Sequence, residues 1–414
     1  MSDHLHRKRT LLLCTALHAF THIYQVALLP LYVLIRKDLH LTSDAQATLL
    51  VTVMGFAYFV PSYPMGMLAD RFSRKKLLAI GLIINALGFI TLAYANSMST
   101  ALLAVVLAGF GGSFYHPAAT SLIARLYPEA TGKALGTAGM GASLGFFIAP
   151  FYAGWRAGMS GWRAPVLELG ILGLVAAAAF MWLAHDHPTR EFQDDINKTK
   201  EKLFATPMLW VLFLSAAFFF CLRDFAGMGV ASLGSLFLQR AHGMDPKHTG
   251  IALSCIYLAS LISNPIFGSW SDRGRIRLTA VVLFIAAFTV FIFPHLNSHW
   301  LAPMLGAYGF FFMASYPIVE AALMEAVHDS VRGRVFGLFI TIGGLLGNIS
   351  HWFVGRWVEM LGTGAGDVSN YFSIYAILAV MLMLSLIGLA CLHGIRRRDH
   401  DAFVHRQPVA TTDN

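Results

Sequence analysis

The stretch GMLADRFSRKK, Gly66 to Lys76, decides the reading of this chain, because a diluted copy, GSWSDRGRIR, begins 202 residues later at Gly268. Gly66, Asp70 and Arg71 thereby recur as Gly268, Asp272 and Arg273. The offset persists beyond the motif. Gly132, Lys133, Gly136 and Gly154 are matched 201 residues on by Gly333, Arg334, Gly337 and Gly355, and Pro117 is matched 200 residues on by Pro317. One structural unit is therefore written twice.

What surrounds the two copies is apolar. Of 414 residues, 57% are hydrophobic and 13% charged, with a mean hydropathy of +0.62, a composition that would leave a soluble protein with too much apolar surface. Runs long enough to cross a hydrocarbon layer of ~30 Å fall at 10–34, 45–68, 77–95, 99–124, 134–157, 164–184, 207–238, 248–270, 277–296, 299–325, 335–358 and 369–394. They are rich in Leu, Ala, Phe and Gly without period-two alternation, which predicts helices rather than a β-barrel. The expectation is an all-α membrane protein of twelve transmembrane helices, arranged as two six-helix bundles related by a pseudo-two-fold axis. Residues 1–184 would form the N-terminal bundle and 207–395 the C-terminal one. The mixed-charge segment 185–206 would link them in the cytoplasm, and 396–414 would be a cytoplasmic tail.

A net charge of +8 raises the question of nucleic acid, but the cations lie between the apolar runs. With the N-terminus inside, cytoplasmic segments hold 22 of the 30 Lys and Arg, external loops hold 7, and Arg223 lies within a span. This asymmetry predicts both termini in the cytoplasm. The lipid bilayer, not nucleic acid, is the expected partner. The first run follows Arg7, Lys8 and Arg9 but is too long for a signal peptide and has no small-residue cleavage site after it. Cys14, Cys221, Cys255 and Cys391 each fall within a span, so no disulfide framework is expected. There is no G-x4-G-K-[ST], H-E-x-x-H or G-x-S-x-G motif, so neither ATP hydrolysis nor these enzyme chemistries are supported. No cofactor and no metal site are expected.

The Gly66–Lys76 loop resembles the signature of the major facilitator superfamily, G-x-L-a-D-r-x-g-r-k, departing from it at Ser73, where glycine is usual. The resemblance implies an alternating-access carrier with its substrate site between the halves. It also implies a conformational latch of Gly66, Asp70, Arg71, Arg74, Asp272 and Arg273, in which Asp70 faces the start of the eleventh helix near Arg334, where the helix dipole favours an anion. The other reading of Arg74, Lys75 and Lys76 is that they set topology from the headgroup region. In the fifth span Gly136, Gly145, Ala149, Pro150, Ala153 and Gly154 are similar to the antiporter signature G-x8-G-x3-G-P-x2-G-G, with two glycines turned to alanine. That similarity implies export; generic close packing around a proline kink is the alternative. Val105 and Ala108 stand where the drug antiporters' usual Arg and Gln would precede Gly109. GFGGSFYHPAA, Gly109 to Ala119, with His18, His22 and Gln25, is instead similar to the fosmidomycin-resistance branch, His22 replacing an expected aspartate.

Ionisable residues inside spans cost about 2.5–3.5 kcal/mol on insertion scales and mark functional positions. They are His18, His22, His116, Glu168, Arg223, Asp224, Glu320 and His351. Helical spacing puts His18, His22 and Gln25 on one face. Their H-x3-H spacing could serve a proton, a substrate or a metal, although a stable metal site needs further ligands; histidines that are structurally satisfied are the other reading. Arg223 and Asp224, about 100° apart on a helix, are expected to find separate partners: Arg223 an anionic substrate group or Glu320, and Asp224 a proton. The offset of 202 sets Asp224 opposite His22. Glu168, near the external end of its span, is expected to reach water. Tyr24, Tyr58, Tyr115 and Tyr316 are expected to line the cavity. The substrate and proton-coupling set is therefore His18, His22, Gln25, His116, Arg223, Asp224 and Glu320. The expected function is a proton-coupled transporter, acting as a monomer in a bacterial-type inner membrane and exporting a small amphipathic or anionic organic compound. An uptake symporter and a divalent-metal exporter are the alternatives.

Overall fold

In a computed structural model the described residues are 2–185, 203–204, 206–271, 274–327 and 331–404. Asp272, Arg273, most of the expected linker, the tail beyond residue 404 and the side chain of Asp70 lie outside them.

Among the described residues, twelve helices are long and apolar enough to span a membrane. They are α1 (His4–Asp38), α2 (Asp44–Ala69), α3 (Arg74–Ala93), α4 (Met98–Leu126), α5 (Thr131–Ser160), α6 (Arg163–Leu183), α7 (Pro207–Arg240), α8 (Pro246–Ser271), α9 (Arg275–His295), α10 (Ser298–Ala326), α11 (Arg334–Met360) and α12 (Val368–Arg398). Their starts follow from the residues just before them. Ser97 and Thr100 form a reciprocal capping box at α4, Thr206 Oγ1 accepts from Leu209 N with Pro207 in the first turn of α7, and Asp245 accepts from His248 N at α8. Ser73, the departure from the loop signature, does the same for α3: its Oγ accepts from Lys76 N at 3.2 Å. Near Pro30, which lacks an N–H, α1 tightens into a 3-10 turn over Leu29–Leu31. Gly161, with φ of 75°, terminates α5 in a conformation that a side chain would strain.

The packing repeats the sequence. In the first half α1 lies on α5, α2 on α4, and α3 on α4 and α6; in the second α7 lies on α11, α8 on α10, and α9 on α10 and α12. The halves meet through α5 on α8 and through its symmetry mate, α11 on α2. This is the pseudo-two-fold arrangement expected from the 202-residue offset. Small residues make the close approaches possible: a Cβ on Gly111 would stand 2.2 Å from Asn85 N, and one on Gly309 2.0 Å from Ile256 O. Large apolar side chains such as Leu103, Val175 and Trp182 are left facing outward, as a lipid-solvated surface requires.

Contacts between the halves concentrate at one end. A Cβ on Gly250 of α8 would lie 2.2 Å from Pro150 O, and one on Gly154 of α5 2.3 Å from Pro246 O. Thr52 Oγ1 donates to Asn348 O at 2.9 Å, and Ser235 Oγ donates to Leu29 O at 2.5 Å. Asp44, almost fully buried, accepts from Arg36 at 3.1 Å and from Arg240 at 2.6 Å, tying the ends of α1 and α7 to the start of α2. At the opposite end, which carries Gly66–Lys76, a Cβ on Gly132, Gly136, Gly268 or Gly337 would meet nothing within 4 Å. Among the described residues the halves are joined at one mouth, and at the other these four glycines face open space.

The fifth-span motif therefore divides by position. Gly141 and Gly145 seat α5 on Thr15 O and Ala19 O of α1 within one half, Pro150 and Gly154 seat it on α8 of the other, and Gly136 faces open space. Arg74 is buried against protein, and its Nε donates to Ser121 Oγ of α4 at 2.6 Å. Its guanidinium sits at the very start of α3, close enough to α4 to reach a hydroxyl. Gly66 stands 3.8 Å, at its Cβ position, from Pro117, and Arg71 is exposed. In the second half Arg275 pairs with Glu325 at 2.7 Å.

Candidate functional site: two polar clusters inside the bundle

The sequence-predicted polar residues gather into two groups, one in each half. In the first, His22 Nε2 lies 3.1 Å from His18 Nε2, His22 Nδ1 donates to Gln25 Oε1 at 2.7 Å, and His18 Nδ1 donates to Ala138 O of α5 at 2.8 Å. Tyr115 stacks on His18 at 4.5 Å. His116 comes in from α4, edge-on to His18 with ring centroids 5.0 Å apart. It can do so because regular helix lapses between Gly112 and Tyr115, turning the lower segment of α4 toward α1.

The second group is centred on Arg223, 2% exposed, and Asp224, 7% exposed, on α7. The expectation of separate partners is corrected here: Arg223 Nη2 and Nε lie 2.8 and 3.0 Å from Asp224 Oδ1. Successive Cα–Cβ bonds do diverge, but the arginine stem is long enough to curl back around the helix. The guanidinium lies 4.1 Å over the ring of Tyr316 on α10, a cation–π contact. Its Nη1 is buried with no hydrogen-bond partner among the described residues. Glu320, one turn further along α10, interacts electrostatically with both charges. Asp224 fits because α11 is bare where it passes: a Cβ on Gly343 would stand 2.5 Å from Asp224 Oδ2.

His22 and Asp224 are not brought into contact. Between the clusters run Phe146 of α5, 4.3 Å from His22, and Tyr257 of α8, stacked on Phe146 at 5.1 Å. Of the tyrosines expected to line a cavity, Tyr24 and Tyr115 instead donate to Leu169 O and Cys14 O within their own half. Tyr58 stands edge-on to His116 at 6.3 Å, and only Tyr316 joins the charged pair. Glu168 is partly exposed, as expected, and is also held by Arg156 at 2.8 Å and Tyr152 at 2.5 Å across α5 and α6.

Two features escaped the sequence reading. One is Asp44 with its two arginines. The other is the bridge in which Ser232 lies 2.9 Å from Tyr32 OH of the first half and 2.6 Å from His351 Nδ1 of the second. An aspartate at a helix start and a serine within a span carry no signal of their own; the 200-residue separation of Tyr32 and Ser232 hints at the link.

Twelve spans, a doubled half and buried charges at the middle define a membrane transporter. Residues 11–351 match the Major Facilitator Superfamily, and the chain belongs to that family of carriers. The quinolone resistance protein NorA of Staphylococcus aureus (strain MRSA252) is 28% identical over 230 residues, 55% of this chain and 58% of that one. The chain thus spans less than two thirds of that relative's length. A bacterial homolog of the human lysosomal transporter Spinster, solved inward-facing and unoccupied, matches with a TM-score of 0.77 at 19% identity over 96% of this chain and 98% of its own. A D-xylose–proton symporter matches with a TM-score of 0.78 at 15% identity over 93% and 97% of the two chains. At these identities the structural matches speak for the fold alone.

Proposed function

We propose that this chain is a proton-coupled carrier that exports a small amphipathic or anionic organic compound by alternating access. It would work as a monomer in a bacterial-type inner membrane with both termini cytoplasmic. The observation that carries the reading is the buried Arg223, which bonds Asp224 through two nitrogens and whose Nη1 has no hydrogen-bond partner among the described residues. An unsatisfied buried guanidinium nitrogen is costly unless something else occupies it. A carboxylate, phosphonate or carbonyl oxygen of a substrate would. Asp224 and Glu320 give the same place two carboxylates for one arginine, and one proton balances the charge. The halves, 1–184 and 207–395, would rock about this centre. With the termini inside, the joined mouth faces out and the other faces in. Asp70, Arg71, Arg74, Asp272 and Arg273 would act as the latch that closes the inner mouth in the opposite state. Export is supported by the antiporter-like pattern of α5 and by a relative named for quinolone resistance.

The charged pair favours a second reading, uptake. A substrate anion that draws Arg223 from Asp224 leaves that carboxylate wanting a proton, so anion and proton would travel together. A substrate that instead offers a donor or cation to Glu320 displaces the proton, which is exchange. The sign of proton movement separates the two. A compound from a thermal-stability screen, where binding at 100 times Kd adds about 2.7 kcal/mol, would be loaded into proteoliposomes and diluted. For an exporter the departing substrate acidifies the lumen; for a symporter it makes the lumen alkaline. A flux that moves no protons, or does not saturate, contradicts both.

A further inference from the structure

The hydrogen bonds around His18 and His22 assign their ring protons. His18 Nδ1 meets Ala138 O at 2.8 Å, and His22 Nδ1 meets Gln25 Oε1, the assigned amide oxygen, at 2.7 Å. Both partners are carbonyl oxygens, which only accept, so each Nδ1 carries the hydrogen. In neutral rings each Nε2 then presents a lone pair, and the two Nε2 atoms face one another across 3.1 Å. Two lone pairs at that distance repel. The arrangement calls for a cation between them.

His116 completes a third side, and one ligand atom from each of the three histidines lies within 4.8 Å of the others. We propose that His18, His22 and His116 bind a single divalent transition-metal ion of the Zn2+ class, with a fourth position open to water or an oxygen-bearing ligand. Zn–N bonds of about 2.0–2.1 Å at tetrahedral angles hold their nitrogens only slightly further apart than these two already are. The outer contacts are those of metal-bound imidazoles, in which the remaining N–H donates to a carbonyl and fixes tautomer and ring angle. Three nitrogens and no carboxylate select Zn2+, Cu2+ or Ni2+ over Mg2+ and Ca2+. Three protein ligands with one position free describe an open site, not a closed structural staple. His18 and His22 are buried while His116 is exposed, which leaves a side from which the ion can enter. The expectation of no metal site rested on two ligands from one helix; the turn in α4 supplies the third.

The test is a Zn2+ titration of the full-length protein in detergent, with bound metal counted after dialysis and Co2+ used as a spectroscopic reporter. One saturable ion per chain is expected, with the intense visible absorption of four-coordinate Co2+. His22→Ala and His116→Ala should each abolish both signals, whereas Gln25→Leu, which touches only the outer hydrogen bond, should weaken binding about 10–100-fold. His6 and His185, stacked at 4.7 Å near the end of α6, are a second place where zinc could lodge. His6→Ala should therefore leave the titration unchanged. Unaltered thermal unfolding of the Gln25→Leu protein keeps its result interpretable if an alanine variant misfolds. Equal zinc binding by the parent and a His18/His22/His116 triple alanine variant, or binding abolished by His6→Ala, would overturn the proposal, and the pair would then share a proton instead.

Discussion

Arg223→Leu is expected to cost about 3–5 kcal/mol of stability, the penalty for removing one partner of a buried ion pair, and to abolish substrate binding. Asp224 would be left 7% exposed against Gly343 and Gly347, with no other cation among its described contacts. The paired variant Arg223→Leu with Asp224→Leu should regain most of that stability, since neither charge then lacks its partner. Transport should stay lost. This combination separates the two roles of the pair: thermal unfolding in detergent reports the ion pair, and flux in liposomes reports the site. Recovery of flux together with stability would reduce Arg223 and Asp224 to a strut between helices.

Gly250→Val is expected to act on the balance of states instead of on folding. The added Cβ would lie 2.2 Å from Pro150 O and 3.0 Å from Gly154 Cα, and backbone atoms cannot rotate away as a side chain can. Relief comes only when α8 and α5 part, which is the state with this mouth open. Overpacking of this kind costs about 1–3 kcal/mol. Applied to one state alone, it shifts the equilibrium by about 5–150-fold, and turnover, which needs both states, should fall accordingly. Thiol labelling of Gln46→Cys should rise and that of Lys133→Cys should fall. Gly145→Val makes the comparison: its clash is with Ala19 O inside one half, so it should lower stability while leaving the labelling ratio unchanged. Labelling at both mouths that matches the parent in Gly250→Val would make the α5 motif mere packing.

The twelve spans were legible in the sequence because the requirement to satisfy every backbone group in lipid leaves long apolar helices as the only solution for such runs. Their starts, set in the structure by Ser73, Ser97, Thr206 and Asp245, are not marked by apolar runs alone. The pseudo-symmetry followed from the spacing of Gly66, Asp70 and Arg71 with their later copies. What helical periodicity could see was one face at a time, and so it joined His18, His22 and Gln25. It could not see His116 arriving from α4, because that depends on a break in α4 whose glycines also read as ordinary packing residues. It separated Arg223 from Asp224 by counting rotation at Cβ, where the length of the arginine stem decides. Asp44 and Ser232 act across the two halves, and pairings some 200 residues apart leave no local trace.

The central claim is that Asp224 and Glu320 carry the coupling proton beside Arg223, and it is tested most directly by comparing two kinds of flux in proteoliposomes. Asp224→Asn and Glu320→Gln would each be assayed for accumulation driven by a pH gradient and for substrate exchange with no gradient. Neutralising the true carrier should abolish driven accumulation while exchange continues, because exchange needs the substrate site but no net proton movement. Accumulation at the parental rate in both variants would contradict the account and leave the two carboxylates as structural charges.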